Sequence, residues 1–146
     1  MKKLLILASV LVTVFASPAY SRDTVHMLSL EEAMNTPDAK TKLDGSVEFY
    51  FSGQDHPAVG DSLFEAVTNK KTNAFGKSDE EACKWVFLSA MIALQERAKQ
   101  DGANAVVDIV SYYDKQEMAS ATEFECHAGA ILAGVALKGR FVRLED

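Results

Sequence analysis

The chain is poor in the features that mark nucleotide, nucleic-acid and dithiol chemistry. Its 146 residues carry 15 lysines and arginines against 21 aspartates and glutamates. Phosphate backbones are bound by clustered Lys and Arg, so a nucleic-acid partner is disfavoured. Only two cysteines occur, with no Cys-x-x-Cys pair, which argues against a redox dithiol or a cysteine-ligated zinc ribbon. Gly129 and Gly134 have the spacing of a P-loop, but Val135 and Ala136 stand where that loop needs Lys and then Ser or Thr. No Gly-x-Ser-x-Gly is present, so the nucleophile elbow of a hydrolase is missing as well. There is no internal repeat, long linker or low-complexity stretch, and the length suits one domain.

What the chain does have begins at its N-terminus. Lys2 and Lys3 precede the apolar run Leu4 to Ala16, and Ala19-Tyr20-Ser21 offers small residues at the two positions a signal peptidase reads. The expectation is a signal peptide over residues 1–21, cleaved after Ser21 or, as second choice, after Ala19. The apolar run is shorter than the ~20 residues of a membrane span, and no cysteine follows either cleavage site to carry a lipid. The expected product is a periplasmic or secreted bacterial protein without a stable membrane anchor. Removing 1–21 takes away two lysines and no acid, leaving 13 basic side chains against 21 acidic ones.

The remainder reads as a single α+β domain over 22–146. Ser29-Leu30-Glu31-Glu32 has the form of a capping box, and Thr36-Pro37 offers a cap with proline at the first helical position. Two short helices are predicted, near 30–35 and 37–43. Val47, Phe49 and Phe51 alternate with Glu48 and Tyr50 as in a strand with one buried face, and 61–68 reads as a second strand followed by a solvated turn at Asn69 to Asn73. Ser78-Asp79-Glu80-Glu81 opens a long helix that Asp101-Gly102 closes. Strands are then predicted over 103–113, 122–128, 130–137 and 141–144, with Gly139 separating the last two. The expected architecture is one long helix packed on a mostly antiparallel sheet of four or five strands, with two short N-terminal helices.

In that frame Cys83, Val86, Phe87, Ala90, Leu94 and Ala98 share one helix face, and Cys126 lies on the apolar face of its strand with Phe124 and Ala128. A helix laid across the sheet would bring Cys83 and Cys126 within disulfide range, which the oxidising compartment favours; two separately buried thiols are the alternative. Trp85, Leu88 and Ile92 form a second apolar stripe on the opposite side of the helix. Either the N-terminal segment with Leu28, Leu30, Met34 and Leu43 covers it, or another subunit does.

Glu123, Glu125 and His127 project from the other face of the Cys126 strand, because residues at i, i+2 and i+4 point the same way. Joined by Asp108 or a tyrosine from a neighbouring strand, they could hold a divalent cation; a solvent-facing strand surface has the same pattern. His26 stands near the new N-terminus and His56 in a turn. Cys83 inside an apolar helix face is a poor nucleophile, and no enzymatic activity is expected.

The stretches Asn69 to Phe75, Ser78 to Trp85, Ala90 to Ala98, Gly102-Ala-Asn-Ala-Val-Val107, Ser111-Tyr-Tyr113 and Glu125-Cys-His-Ala-Gly129 resemble a family of small exported proteobacterial proteins often called "excinuclease ATPase subunit". The resemblance runs over about residues 24–144. The ATP-driven DNA-repair role implied by that name finds no Walker motif and no zinc-binding cysteine pairs here. More distantly, 78–137 is similar to the YbjQ-like heavy-metal-binding-domain group, whose members form rings, and to the periplasmic domain of the lipoprotein sensor of the Rcs envelope-stress system. That resemblance implies a strand, strand, helix, strand, strand layout. It also matches Cys126 to a disulfide-bonded strand cysteine of the sensor, whereas Cys83 has no counterpart there. Two functions are expected from the whole: a non-enzymatic periplasmic binding or envelope-maintenance protein acting on a protein partner or on itself, or a metal-binding or metal-responsive protein using Glu123, Glu125 and His127. No cofactor is expected outside the second reading.

Overall fold

The computed structural model describes residues 22–146, together with Thr13; the expected signal peptide otherwise lies outside the described residues. The chain runs β1 (Thr24–Ser29), α1 (Leu30–Met34), α2 (Pro37–Lys42), β2 (Glu48–Phe51), β3 (Val59–Asn73), α3 (Asp79–Asp101), β4 (Ala105–Ser111), a single 3-10 turn at Tyr113–Lys115, β5 (Glu123–Ala128) and β6 (Leu132–Leu144). The architecture is α+β: α3 packs on a curled, mixed sheet of six strands, mostly antiparallel, with two short helices beside it.

β6 is the spine of the sheet. β3 pairs antiparallel along one of its edges from Val59↔Leu144 to Asn73↔Leu132. Its other edge is shared by β5, at His127↔Gly134 and Ala128↔Ala133, and by β4, from Ser111↔Leu137 to Ala105↔Val142. β1 then adds to β5, and β2 adds parallel to β4. Two strands sharing one edge splay the sheet around the helix.

The helices begin and end as their residues dictate. Ser29, Thr36 and Ser78 each accept a hydrogen bond from a backbone N–H in the first turn, at Glu32, Ala39 and Glu81. α3 carries three acids in its first turn and stops at Gly102, whose φ of 77° suits glycine. From α3, Cys83, Val86, Phe87, Ala90, Met91, Leu94 and Ala98 enter the main core. Phe87 stacks on Phe124 of β5 at 4.2 Å between ring centroids, and Phe64 of β3 on Phe141 of β6 at 4.7 Å. Cys83 and Cys126 are disulfide-bonded, their Cα atoms 5.9 Å apart, within the range a bridge tolerates.

Three expectations need correction. The sheet has six strands rather than four or five, because Thr24–Ser29 is an edge strand; Val25 and Met27 are exposed apolar residues on its outer face, which hides the period-two pattern. Asn69 to Asn73 is the end of β3 and not a turn: the ladder from Asn69↔Ala136 to Asn73↔Leu132 fixes it, and its polar residues serve an exposed edge. Gly139 does not divide two strands, since β6 runs through it. A Cβ there would lie 2.6 Å from Val106 Cγ1, so glycine lets β4 approach.

Candidate functional site

β5 alternates as its sequence requires, with Phe124, Cys126 and Ala128 buried in the core and Glu123, Glu125 and His127 on the other face. That second face is partly roofed. β1 flanks it with Val25 opposite His127 and Met27 opposite Glu125. From the other side the turn after β4 folds over, anchored by the Tyr112 N–H donating to the Ala136 carbonyl at 2.8 Å. Asp114 and Lys115 then take positive φ, 50° and 60°, a geometry that costs energy outside glycine and is found where a turn must aim a side chain. The side chain aimed is Tyr113, whose ring lies parallel to His127 at 3.6 Å. Gly134 makes room beneath it, because a Cβ there would meet Tyr113 Cε2 at 3.1 Å.

His127 is held on three sides. Asp23 Oδ1 lies 3.1 Å from Nδ1, and Glu125 Oε1 lies 3.3 Å from Nε2. Nε2 is buried and, among the described residues, has no partner in hydrogen-bond geometry. Burial first, and the carboxylates Asp114, Asp23 and Glu125 after it, hold the Tyr113 phenol above its ordinary range.

Of the residues expected at a metal site, Glu125 and His127 are brought together and the others stand apart. Asp23 and Glu125 address opposite ring nitrogens. Glu123 stands exposed further along the strand with no side-chain ion pair or hydrogen bond among the described residues. Asp108 is diverted: it sits at a bulge in β4 with φ 53° and pairs with Arg140 at 2.9 Å. Among the described residues no group of three or more His, Cys, Asp or Glu side chains is placed to hold a metal. The tyrosine does arrive from the neighbouring segment, stacked on His127.

Beside His127 opens a cleft of about 350 Å³, lined by Arg22, Asp23, Lys71, Tyr113 and the loop Gly129–Gly134. Arg22 closes one end by donating to both Asp79 oxygens, at 2.7 and 2.9 Å, and to the Gly129 carbonyl at 2.9 Å. His26 Nε2 adds a contact to Asp79 at 2.8 Å. Arg22 first and His26 second hold the Asp79 carboxyl well below the usual carboxylate range. The cleft rim is apolar. The Ala74 N–H donates to the Ile131 carbonyl and Asn73 pairs with Leu132, which sets Phe75, Ile131 and Leu132 together at the sheet tip, 77%, 65% and 52% exposed.

The other candidate stripe is largely internal. Leu88 is buried and Ile92 half-buried, while Trp85 keeps 41% exposure with Lys42 Nζ over its ring at 4.5 Å. The segment around α2 covers this flank: the buried Gln95 accepts from the Asp44 N–H and donates to the Lys42 carbonyl, and Lys99 pairs with Asp44. Leu30 is buried, and Leu28, Met34 and Leu43 pack against the core. His56 lies 2.8 Å from the Pro57 carbonyl through Nδ1 and beside the Tyr50 ring.

Sequence reasoning placed Glu125 and His127 together but missed Arg22, Asp23 and the aim of Tyr113. Asp23 and His127 are brought together by β1 pairing, for which no local signal exists. The glycine at 134 was visible, and its service to Tyr113 was not. No family model, curated protein or solved structure matches this chain.

Proposed function

We propose that the protein is a non-enzymatic binding or envelope-maintenance protein of the periplasm, and that it contacts another protein through the apolar tip at Phe75, Ile131 and Leu132. The observation that carries this reading is the cluster itself. Three large apolar side chains stand exposed close together at the sheet tip, and two of them, Ile131 and Leu132, line the cleft in which Asp23 contacts His127. Grouped exposed apolar residues beside a polar rim are a common form of protein contact site. The Cys83–Cys126 bridge is of a kind that persists in oxidising, extracytoplasmic compartments, and no helix among the described residues is long and apolar enough to cross a membrane. The resemblance of 78–137 to a periplasmic sensor domain supports the same setting. Within the cleft, Tyr113 stacks on His127 over Gly134 and Arg22 donates to the Gly129 carbonyl, so both ends of the loop that carries the tip are in contact with the cleft wall.

The test is a comparison of partners retained in native envelope extracts by the intact protein and by Ile131→Ser with Phe75→Ser. The double variant is expected to keep its melting temperature and lose a protein that the intact chain retains reproducibly; equal retention by both would overturn the reading. Metal analysis of untagged protein from the same preparation addresses the alternative. Stoichiometric bound metal, lost in His127→Ala, would support a metal-binding function instead.

A further inference from the structure

We propose that the free edge of β3 is the interface of a homodimer, in which two copies pair antiparallel about a two-fold axis at Thr68 and continue the sheet from one molecule into the next. Among the described residues β3 is paired with β6 alone, so its other backbone edge lacks a strand partner. A row of unpaired N–H and C=O groups is a template for another strand.

The edge is regular where such pairing needs it. From Phe64 to Asn73 the ladder with β6 runs without a register shift, and the irregularities lie between Val59 and Phe64. Bulges deflect an edge from pairing, and here they leave the later stretch straight. Thr68 lies at the middle of that stretch.

Charge identifies the occupant as a second copy. Glu65 stands near one end of the regular stretch and Lys71 near the other, on the same exposed face with Val67 and Asn69 between them. A two-fold axis perpendicular to the sheet at Thr68 sets Glu65 opposite Lys71 of the second copy, twice, and Val67 opposite Asn69. The two Val67 side chains, each 51% exposed in the single chain, then become diagonal neighbours across the axis and cover one another. Parallel pairing in register would instead place Glu65 against Glu65 and Lys71 against Lys71. Lysines on an edge ordinarily keep strands apart; Lys71 has no ion pair among the described residues, and the second copy supplies one. Glu65 lies 3.4 Å from Lys138, which also holds Glu117 at 2.7 Å, so a charge reversal at Glu65 leaves Lys138 with a partner.

The experiment uses the full-length sequence expressed with export, purified oxidised and without a tag, in sedimentation velocity over a concentration series. The expected mass is twice that of one chain. Glu65→Lys alone and Lys71→Glu alone each set like charges opposite twice, and each is expected to raise the dimer dissociation constant by roughly tenfold or more. The double variant Glu65→Lys with Lys71→Glu restores the pairs and is expected to recover the dimer. Thermal melts followed by circular dichroism check that the variants fold. Should a variant not fold, hydrogen exchange on the intact protein gives the second readout: β3 amides from Phe64 to Asn73 are expected to gain protection as concentration rises. A monomer throughout the series, a dimer indifferent to either reversal, a folded double variant that stays monomeric, or concentration-independent exchange in β3 would each overturn the proposal.

Discussion

Gly139 shows how much a single missing methyl group carries in this molecule. Its hydrogen stands where a Cβ would fall 2.6 Å from Val106 Cγ1 and 3.2 Å from Ile109 Cγ1, so β4 and β6 approach only because position 139 is glycine. Gly139→Ala is expected to destabilise by about 1–3 kcal/mol, the range of overpacked cores, measurable as a lower urea midpoint with unchanged slope. At the surface the decisive residue is Asp79, which binds Arg22 and His26 and thereby ties the start of β1 to the start of α3. Its folded-state pKa is depressed, as is that of Asp44, which Lys99 and Ser46 hold well down. A depressed carboxylate stabilises the fold above its unfolded pKa, and that contribution is lost as pH falls toward the folded value. Thermal stability is therefore expected to decline below about pH 4, and Asp79→Asn, already without the ion pair, is expected to show a shallower decline. His127 and Glu125 were legible from strand alternation. Asp23, immediately ahead of an unrecognised strand, was not, because alternation says which residues share a face and nothing about which strand lies alongside.

Among the elements, α3 was the most legible, since its serine cap, acidic first turn and glycine stop are local signals and all three operate as expected. The register of α3 over β5 was legible too, through Cys83 on one face and Cys126 on the other. The bridge closes a loop with a sequence separation of 43, for which chain entropy gives about 4 kcal/mol as an upper guide. Reduced protein and Cys83→Ala are each expected to melt well below the oxidised form, and Cys83→Ala should be nearly insensitive to reductant. The second flank of α3 depends on Gln95, whose amide bonds both Asp44 and Lys42 while buried. Gln95→Leu leaves those backbone groups unanswered, at a cost of about 1–3 kcal/mol, and should speed amide exchange through 38–44 before it affects β5. β1 and the end of β3 were the least legible elements. Both are edge strands whose composition answers to solvent as much as to the core, so the period-two pattern that marks buried strands is diluted in Val25 and Met27 and absent from Asn69 to Asn73.

For the whole molecule, the division of labour follows from the topology. The disulfide, the Phe87–Phe124 stack and the β6 spine lie centrally, while the cleft and the tip are built from the ends of β1, β3, β5 and β6, where pairing stops and side chains are left over. Phe75, Ile131 and Leu132 were not separable from core residues in the sequence, because exposure at a sheet tip depends on where ladders end. The contact reading rests on those three residues, and the most direct test is site-specific photo-crosslinking in the native envelope, with the photoreactive amino acid at position 131 and a control at exposed Glu145 on the opposite end of β6. Position 131 is predicted to give a discrete adduct with a different protein, identified by mass spectrometry and absent from the control. No adduct at 131, an adduct only with a second copy of this chain, or the same adduct from position 145 would contradict the account.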